Sequence, residues 1–345
     1  MSSTQAVSTP LVKLKKRDFD AGIDVRWCPG CGDYSILANV QRALPELGVP
    51  RENFVFISGI GCSSRFPYYM NTFGFHTIHG RAPAFATGLK AHRPELDVWL
   101  ITGDGDGLSI GGNHLIHILR RNLNVNIILF NNKIYGLTKG QYSPTSEVGK
   151  VTTSTPMGSI DTPFRPLSVA LGAEASFAAR VIDTDAKMMK DVLLAAHAHK
   201  GTSLIEVYQN CNVFNDGAFA TITNKADKIE KQLHLRAGEP MLFGKGNTRG
   251  IVMRDGELTP VVIGEDGVTE KDVLVHDPTN PDPSIAFWLS RFEQPEMPVP
   301  LGVFRAVERP NYDQMFASQI EEARTQSKNP GLDDLLFSGD TWTVE

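Results

Sequence analysis

Two polar clusters, each following an apolar run, carry the chemistry on offer: Gly103-Asp104-Gly105-Asp106-Gly107 after Val98 to Thr102, and Asn131-Asn132-Lys133-Ile134-Tyr135-Gly136 after Val125 to Phe130. Glycines let a backbone come close to an anion, and a helix that follows them offers free N–H groups to phosphate. Asp104 and Asn132, 28 residues apart, supply two hard oxygens, and the backbone carbonyl of Ile134 supplies a third. That leaves the other positions of an octahedral Mg²⁺ to phosphate oxygens and water. The expected ligand is therefore a diphosphate carried on Mg²⁺. An ordinary phosphate loop does not fit, because the cluster lacks Gly-Lys-Ser/Thr.

The chain has four cysteines: Cys28 and Cys31 in Trp27-Cys28-Pro29-Gly30-Cys31-Gly32, Cys62 in Ser58-Gly59-Ile60-Gly61-Cys62-Ser63-Ser64-Arg65, and Cys211. Four in 345 residues do not make a disulfide scaffold, and spaced cysteines in a reducing compartment more often bind metal or do redox chemistry. Cys62 and Cys211 each follow a predicted strand. Strand carboxyl ends share one edge of a parallel sheet, so both can converge on the Cys28–Cys31 loop and enclose one [4Fe-4S] cluster. Structural zinc and four unrelated buried thiols are the alternatives.

The elements that must position these groups read as alternating α/β. Predicted strands are Phe54 to Ile57, Val98 to Thr102, Val125 to Phe130, Arg180 to Ile182 and Ser203 to Tyr208; predicted helices are Tyr34 to Leu44, Ala82 to His92, Gly111 to Arg121, Pro166 to Leu171 and Ala186 to Ala198. The strand, glycine turn, helix and strand over residues 98–130 form a right-handed crossover unit, which puts both polar clusters at strand carboxyl ends, where open α/β sheets bind ligands. Thr138 to Pro163 is too long and too rich in Ser, Thr, Gly and Pro for a plain connection, and reads as a functional loop. His114 and His117 share a helix face and complete no site.

Three spans follow: an N-terminal arm (1–20) with the basic run Lys13-Leu14-Lys15-Lys16-Arg17, an α/β domain (21–230), and a C-terminal extension (231–345). The extension has a hairpin turn at Arg254-Asp255-Gly256, an irregular proline run from Asp277 to Pro283, and a helix around Asn311 to Thr325. A net charge of −5 gives no basic field for nucleic acid, and no apolar run approaches the ~20 residues of a membrane span. Met1 to Pro10 lacks the blocks of a signal peptide, so a cytoplasmic protein is expected.

Gly-Asp-Gly with Asn at this distance resembles the thiamine diphosphate signature. Together with Cys-Pro-Gly-Cys-Gly, Gly-Ile-Gly-Cys-Ser-Ser-Arg (59–65), His-Gly-Arg (79–81), Asn-Asn-Lys-Ile-Tyr-Gly-Leu-Thr-Lys-Gly-Gln (131–141) and Cys211, it makes the chain resemble the β subunit of 2-oxoacid:ferredoxin oxidoreductases. The match covers roughly residues 18 to 230, with a weaker echo to about 310.

The resemblance implies a thiamine diphosphate-binding α/β fold, a mainly parallel sheet with flanking helices plus a C-terminal extension. It implies oxidative decarboxylation of a 2-oxoacid with coenzyme A to an acyl-CoA, CO₂ and reduced ferredoxin. Cys28, Cys31, Cys62 and Cys211 would hold the [4Fe-4S] cluster, and Asp104, Asn132 and Ile134 the Mg²⁺. Ile60, Gly61, Cys62, Ser63, His79, Gly105, Asp106, Gly136 and Leu137 would line thiamine diphosphate. His79 would hydrogen-bond the reacting carboxylate or its oxyanion, and Arg65 and Lys139 are basic candidates for a second substrate carboxylate or the diphosphate.

The Tyr-Gly-Leu-Thr-Lys-Gly-Gln run and Arg65 resemble the 2-oxoglutarate members, with pyruvate the alternative. Other readings are a non-oxidative thiamine-dependent decarboxylase with structural zinc, and an iron–sulfur electron carrier. Thiamine enzymes need a glutamate from a pyrimidine-binding domain, for which this chain has no room. An α subunit is thus expected to supply it, with part of the substrate and coenzyme A sites, in an α₂β₂ assembly whose contacts include the extension.

Overall fold

The computed structural model describes residues 14–326 and 331–344. Residues 1–13 of the expected arm lie outside the described residues. Six strands come first: β1 (Phe54–Ser58), β2 (Phe73–His76), β3 (Asp97–Gly103), β4 (Asn126–Asn131), β5 (Phe177–Ile182) and β6 (Ser203–Tyr208). They are joined into one sheet in the order β2-β1-β3-β4-β6-β5, every pairing parallel. Their sequences show why. Every residue of β1, β4 and β5 is buried, as strands covered on both faces require.

Alternation sorts the side chains into two cores. Phe54, Phe56, Trp99, Ile101, Ile128 and Phe130 pack with the inner faces of α1 (Asp33–Ala43) and, further along the chain, the helix Ala186–Ala198. Val55, Ile57, Val98, Leu100, Ile127 and Leu129 point the other way, onto α2 (Ala82–His92) and the helices that follow it. Truncating a fully buried residue such as Phe56 to Ala costs about 3–5 kcal/mol.

The glycine cluster after β3 is not a simple turn: Asp104–Leu108 closes a short helix of its own, α3, capped by extended Gly103. α4 (Gly112–Arg121) follows and ends on Asn122 in the left-handed conformation, φ 56°. α5 (Pro166–Gly172) and α6 (Ala186–Ala198) complete the flanking layers. Aspartates and glycines form α3 because its turn is built into the wall between β3 and α4, where packing outweighs weak propensity.

Beyond residue 230 the chain returns to the same sheet. After the short helices α7 (Ala220–Thr223) and α8 (Lys228–Lys231), β7 (Gln232–Leu235) lies at the far edge, beside β11 (Val299–Ala306), which runs antiparallel to β5. Between them β8 (Leu242–Phe243), β9 (Arg249–Arg254) and β10 (Glu257–Val262) make a small antiparallel sheet. Its hairpin turns at Asp255 and Gly256, φ 53° and 83°, the positive values a two-residue turn of this kind demands. α9 (Ser284–Ser290) packs on α5, while α10 (Tyr312–Gln326) and α11 (Leu332–Leu336) are largely exposed. No helix of the described residues is long and apolar enough to cross a membrane.

Candidate active site

Because β1, β3, β4, β6 and β5 are parallel neighbours, the loops after them emerge at one edge. There a recess is lined by Ile60, Gly61, Cys62 and Ser63 after β1, by Gly103 to Asp106 after β3, and by Asn132 and Ile134 to Thr138 after β4, with His79 and Asp33. Every residue named from the sequence for the cation and for lining the cofactor is among them.

Asp104 is buried, and its Oδ2 accepts hydrogen bonds from Ser143 Oγ at 2.6 Å and Thr145 Oγ1 at 2.5 Å. Burial nonetheless pushes its pKa up to about 6, outweighing the lowering effect of those hydrogen bonds. A carboxylate in that position suits a bound cation. Asn132 is locked from both ends: its Nδ2 donates to Gln209 Oε1 at 2.9 Å and its Oδ1 accepts the Ile134 N–H at 3.2 Å. Lys133 between them takes the left-handed conformation, φ 57°, which turns the chain so that Asn132 and Ile134 both line the recess. One carboxylate, one amide oxygen and one carbonyl are the hard donor set that Mg²⁺ prefers.

Asp106 plays a different part from its neighbour. Its Oδ1 accepts the N–H groups of Ile60 at 3.1 Å and Gly80 at 2.7 Å, its Oδ2 accepts the Thr102 hydroxyl at 2.7 Å, and His79 Nδ1 sits 2.6 Å from Oδ1. The carboxylate is thus fully engaged within the protein. It ties the loop after β1 and the His79–Gly80 turn to α3, leaving the backbone as what Asp106 offers a ligand.

The cysteines gather beside this recess. Cys62 lines it, and the Trp27 indole N–H donates to the Cys62 carbonyl at 2.7 Å. Gly136 leaves room against two sulfurs: a β-carbon there would lie 3.6 Å from both the Cys62 and Cys211 Sγ atoms, so these are within about 7 Å of each other. The Cys28–Cys31 loop is stitched to the Cys211 loop by Gly32 N–H to Asn210 carbonyl (3.1 Å), Asn212 Nδ2 to Pro29 carbonyl (2.7 Å) and Gln209 Nε2 to Cys31 Sγ (3.3 Å).

All four are free thiols. Burial raises the Cys31 thiol far above its ordinary value and the Cys62 thiol to about 12, and Asp33 and the other cysteines add to both shifts. Among the described residues no three or more His, Cys, Asp or Glu side chains converge on a single-ion position. Four thiols gathered at one edge are the donor set that a [4Fe-4S] cluster takes.

Arg65 and Lys139 stand apart from the recess. Arg65, in a 3₁₀ turn that begins after Cys62, lowers the Cys62 thiol electrostatically and lines neither the recess nor the wider cavity next to it. Lys139 is exposed, with φ 74°. The wider cavity, of about 890 Å³, shares His79, Tyr135 and Thr138 with the recess and is walled by Ile110, Tyr142 and Phe164. Its walls include Ile110 and Phe164, about half exposed, as is Leu137 of the recess.

Residues that sequence reasoning missed are Asp33, Ser143, Thr145 and Gln209. The two hydroxyls lie in the long polar loop, whose composition marked it without marking them. Asp33 follows directly on the cysteine motif; burial beside Asp183 raises its pKa to about 7.

A strand-edge recess with a buried carboxylate beside a turn-held asparagine defines a thiamine pyrophosphate-binding domain, and residues 59–207 match the family profile for the thiamine pyrophosphate enzyme C-terminal TPP binding domain. Over its whole length the chain is 54 % identical, across 348 aligned positions that cover 92 % of the relative, to the 2-oxoglutarate oxidoreductase subunit KorB of Mycobacterium tuberculosis. The chain belongs to the β subunits of 2-oxoacid:ferredoxin oxidoreductases. It is also 42 % identical over 185 residues to the 2-oxoglutarate synthase subunit KorB of Archaeoglobus fulgidus, a match that covers 54 % of this chain and 69 % of that one. Among solved structures, a chain of the 2-oxoglutarate:ferredoxin oxidoreductase from Magnetococcus marinus, with 2-oxoglutarate, coenzyme A and succinyl-CoA bound, superposes with a TM-score of 0.76 at 31 % identity, covering 96 % of this chain and 98 % of that one.

Proposed function

We propose that this chain is the cofactor-bearing half of an enzyme that converts 2-oxoglutarate and coenzyme A to succinyl-CoA and CO₂ and passes the two electrons to ferredoxin. One observation carries the reading: the loop after β1 that places Cys62 in the recess is held by Asp106 to the helix that begins with Asp104, so a redox centre on Cys62 and a diphosphate site on Asp104 would share one frame. Asp104, Asn132 and the Ile134 carbonyl would hold Mg²⁺ and, through it, thiamine diphosphate. Cys28, Cys31, Cys62 and Cys211 would hold a [4Fe-4S] cluster. When bound, thiamine diphosphate supplies the electron sink for decarboxylation and the cluster accepts electrons singly.

This chain's own residues bind and orient. The backbone from Ile60 to Ser63, with Gly105, Asp106, Gly136 and Leu137, shapes the recess. His79, braced against Asp106 and facing the adjoining cavity, offers a hydrogen bond to the substrate carboxylate or its developing oxyanion. The glutamate that thiamine chemistry needs would come from an α subunit, together with part of the substrate and coenzyme A sites. The exposed apolar side chains of Leu137, Ile110 and Phe164 at the recess and cavity support that partner's docking there. Names of relatives at 54 % and 42 % identity support 2-oxoglutarate over pyruvate.

The test is anaerobic co-purification with the α subunit and a panel of 2-oxoacids. Coenzyme A-dependent ferredoxin reduction highest with 2-oxoglutarate is expected; a pyruvate preference would overturn the substrate, and acyl products without electron transfer would overturn the reaction.

A further inference from the structure

We infer that Glu206 is a positioning residue for the cation site and acts through the side-chain amide of Asn131; this rests on the reading of Asp104, Asn132 and Ile134 as the cation's oxygens. Glu206 and Arg180 stand side by side on β6 and β5, 0 % and 2 % exposed, with Arg180 Nε 2.7 Å from Glu206 Oε2. The guanidinium is packed between the rings of Tyr208 and Phe304, at 5.0 and 5.3 Å. Its Nη1 finds no hydrogen-bond partner among the described residues. A fully buried ion pair with an orphaned donor is a poor device for stability, which points to a role for the carboxylate elsewhere.

That role is visible at the other oxygen. Glu206 Oε1 accepts Asn131 Nδ2 at 2.8 Å, so the amide must present its oxygen in the opposite direction. Asn131 Oδ1 is 3.0 Å from Thr145 Oγ1, the hydroxyl that also reaches Asp104, and accepts the Lys133 N–H at 3.3 Å. Lys133 is the left-handed residue whose turn sets Asn132 and Ile134. One amide oxygen therefore joins both sides of the proposed cation site: the hydroxyl on Asp104, and the turn that carries the other two ligands. The Glu206 carboxylate, which can only accept, holds that amide in register. The neutral amide of Glu206→Gln lets Asn131 flip and turn an NH₂ towards the Lys133 N–H.

The experiment measures Mn²⁺ affinity in the presence of saturating thiamine diphosphate, from the free Mn²⁺ spin-resonance signal, on the cofactor-stripped full chain co-purified with its partner subunit. Glu206→Gln and the charge-balanced pair Arg180→Met/Glu206→Gln, which leaves no buried charge unpaired, are compared with wild type. Each is expected to bind Mn²⁺ roughly ten- to hundredfold more weakly, the usual effect of removing an outer-shell partner. On an Asn131→Ala background, Glu206→Gln should cause no further loss; a residue that merely supports the fold would instead give additive losses. Wild-type affinity in the charge-balanced pair, or additive losses in the cycle, overturns the inference. Failure of the wild type itself to bind Mn²⁺ with thiamine diphosphate overturns the cation-site reading instead.

Discussion

Gly105 lies against the ring of Tyr135, whose hydroxyl donates to the Gly105 carbonyl at 3.1 Å. A β-carbon at position 105 would overlap that ring, so glycine is required here by a neighbour rather than by backbone conformation. Gly105→Ala must therefore displace Tyr135 or α3. A loss of about 1–3 kcal/mol is expected from overpacking. Removing the ring relieves the overlap, so Gly105→Ala/Tyr135→Ala should lose less stability than the two single variants added together. Strict additivity in thermal unfolding would contradict the contact.

Asp104 is expected to trade stability for binding. Its folded pKa, about 6, lies above the ordinary 3.8, so between those values the native state holds more protons than the unfolded chain. Without cofactor, this residue's contribution to stability falls as pH rises from about 4 to 6, by up to about 3 kcal/mol. Asp104→Asn, which stays neutral, should melt no lower than wild type at pH 7.5, yet lose Mg²⁺-dependent thiamine diphosphate binding. Unchanged cofactor affinity, measured by calorimetry, would remove Asp104 from the site.

For the cysteines, Cys28→Ala, Cys31→Ala and Cys211→Ala should each abolish the broad visible absorbance of the anaerobically purified protein and leave much of the fold. The backbone ties from Gly32 to Asn210 and the Asn212 amide to Pro29 do not pass through sulfur, which is why the loops should survive. Three normal spectra would sink the ligand assignment.

Arg65, a candidate for the distal carboxylate of 2-oxoglutarate, lies in the turn after Cys62 and lines neither cavity of this chain. Arg65→Ile should accordingly change kcat/KM for 2-oxoglutarate and pyruvate by the same factor. A selective loss of ten- to hundredfold for 2-oxoglutarate, the value of a charge-assisted hydrogen bond of ~1.5 to 3 kcal/mol, would bring Arg65 back to the substrate.

Most of the frame that positions the site was legible in the sequence because period and punctuation agreed. The helices at Ala82–His92 and Ala186–Ala198 and the strand at Ser203–Tyr208 fall where apolar spacing and flanking breakers put them. Asp104, Asn132 and Ile134 were expected at one edge, since two consecutive strand ends of a crossover unit must lie side by side, and all three line one recess. Three features escaped. α3 hid inside a glycine-rich run whose propensity argues for a turn. β7 and β11 are short or bulged strands, separated by a small sheet of their own, so nothing local announces that they rejoin the main sheet. Ser143 and Thr145 reach Asp104 across some forty residues of chain, and hydroxyls in a polar loop carry no periodic signal.

The most direct measurement is on the anaerobic complex with its α subunit, mixed with 2-oxoglutarate while absorbance and electron spin resonance are followed. Iron and sulfide are expected at four of each per copy of this chain, with bleaching that depends on 2-oxoglutarate and on Mg²⁺ with thiamine diphosphate, and succinyl-CoA once coenzyme A is added. A complex that binds thiamine diphosphate and decarboxylates 2-oxoglutarate with no iron bound and no electron reaching ferredoxin would contradict the proposed function.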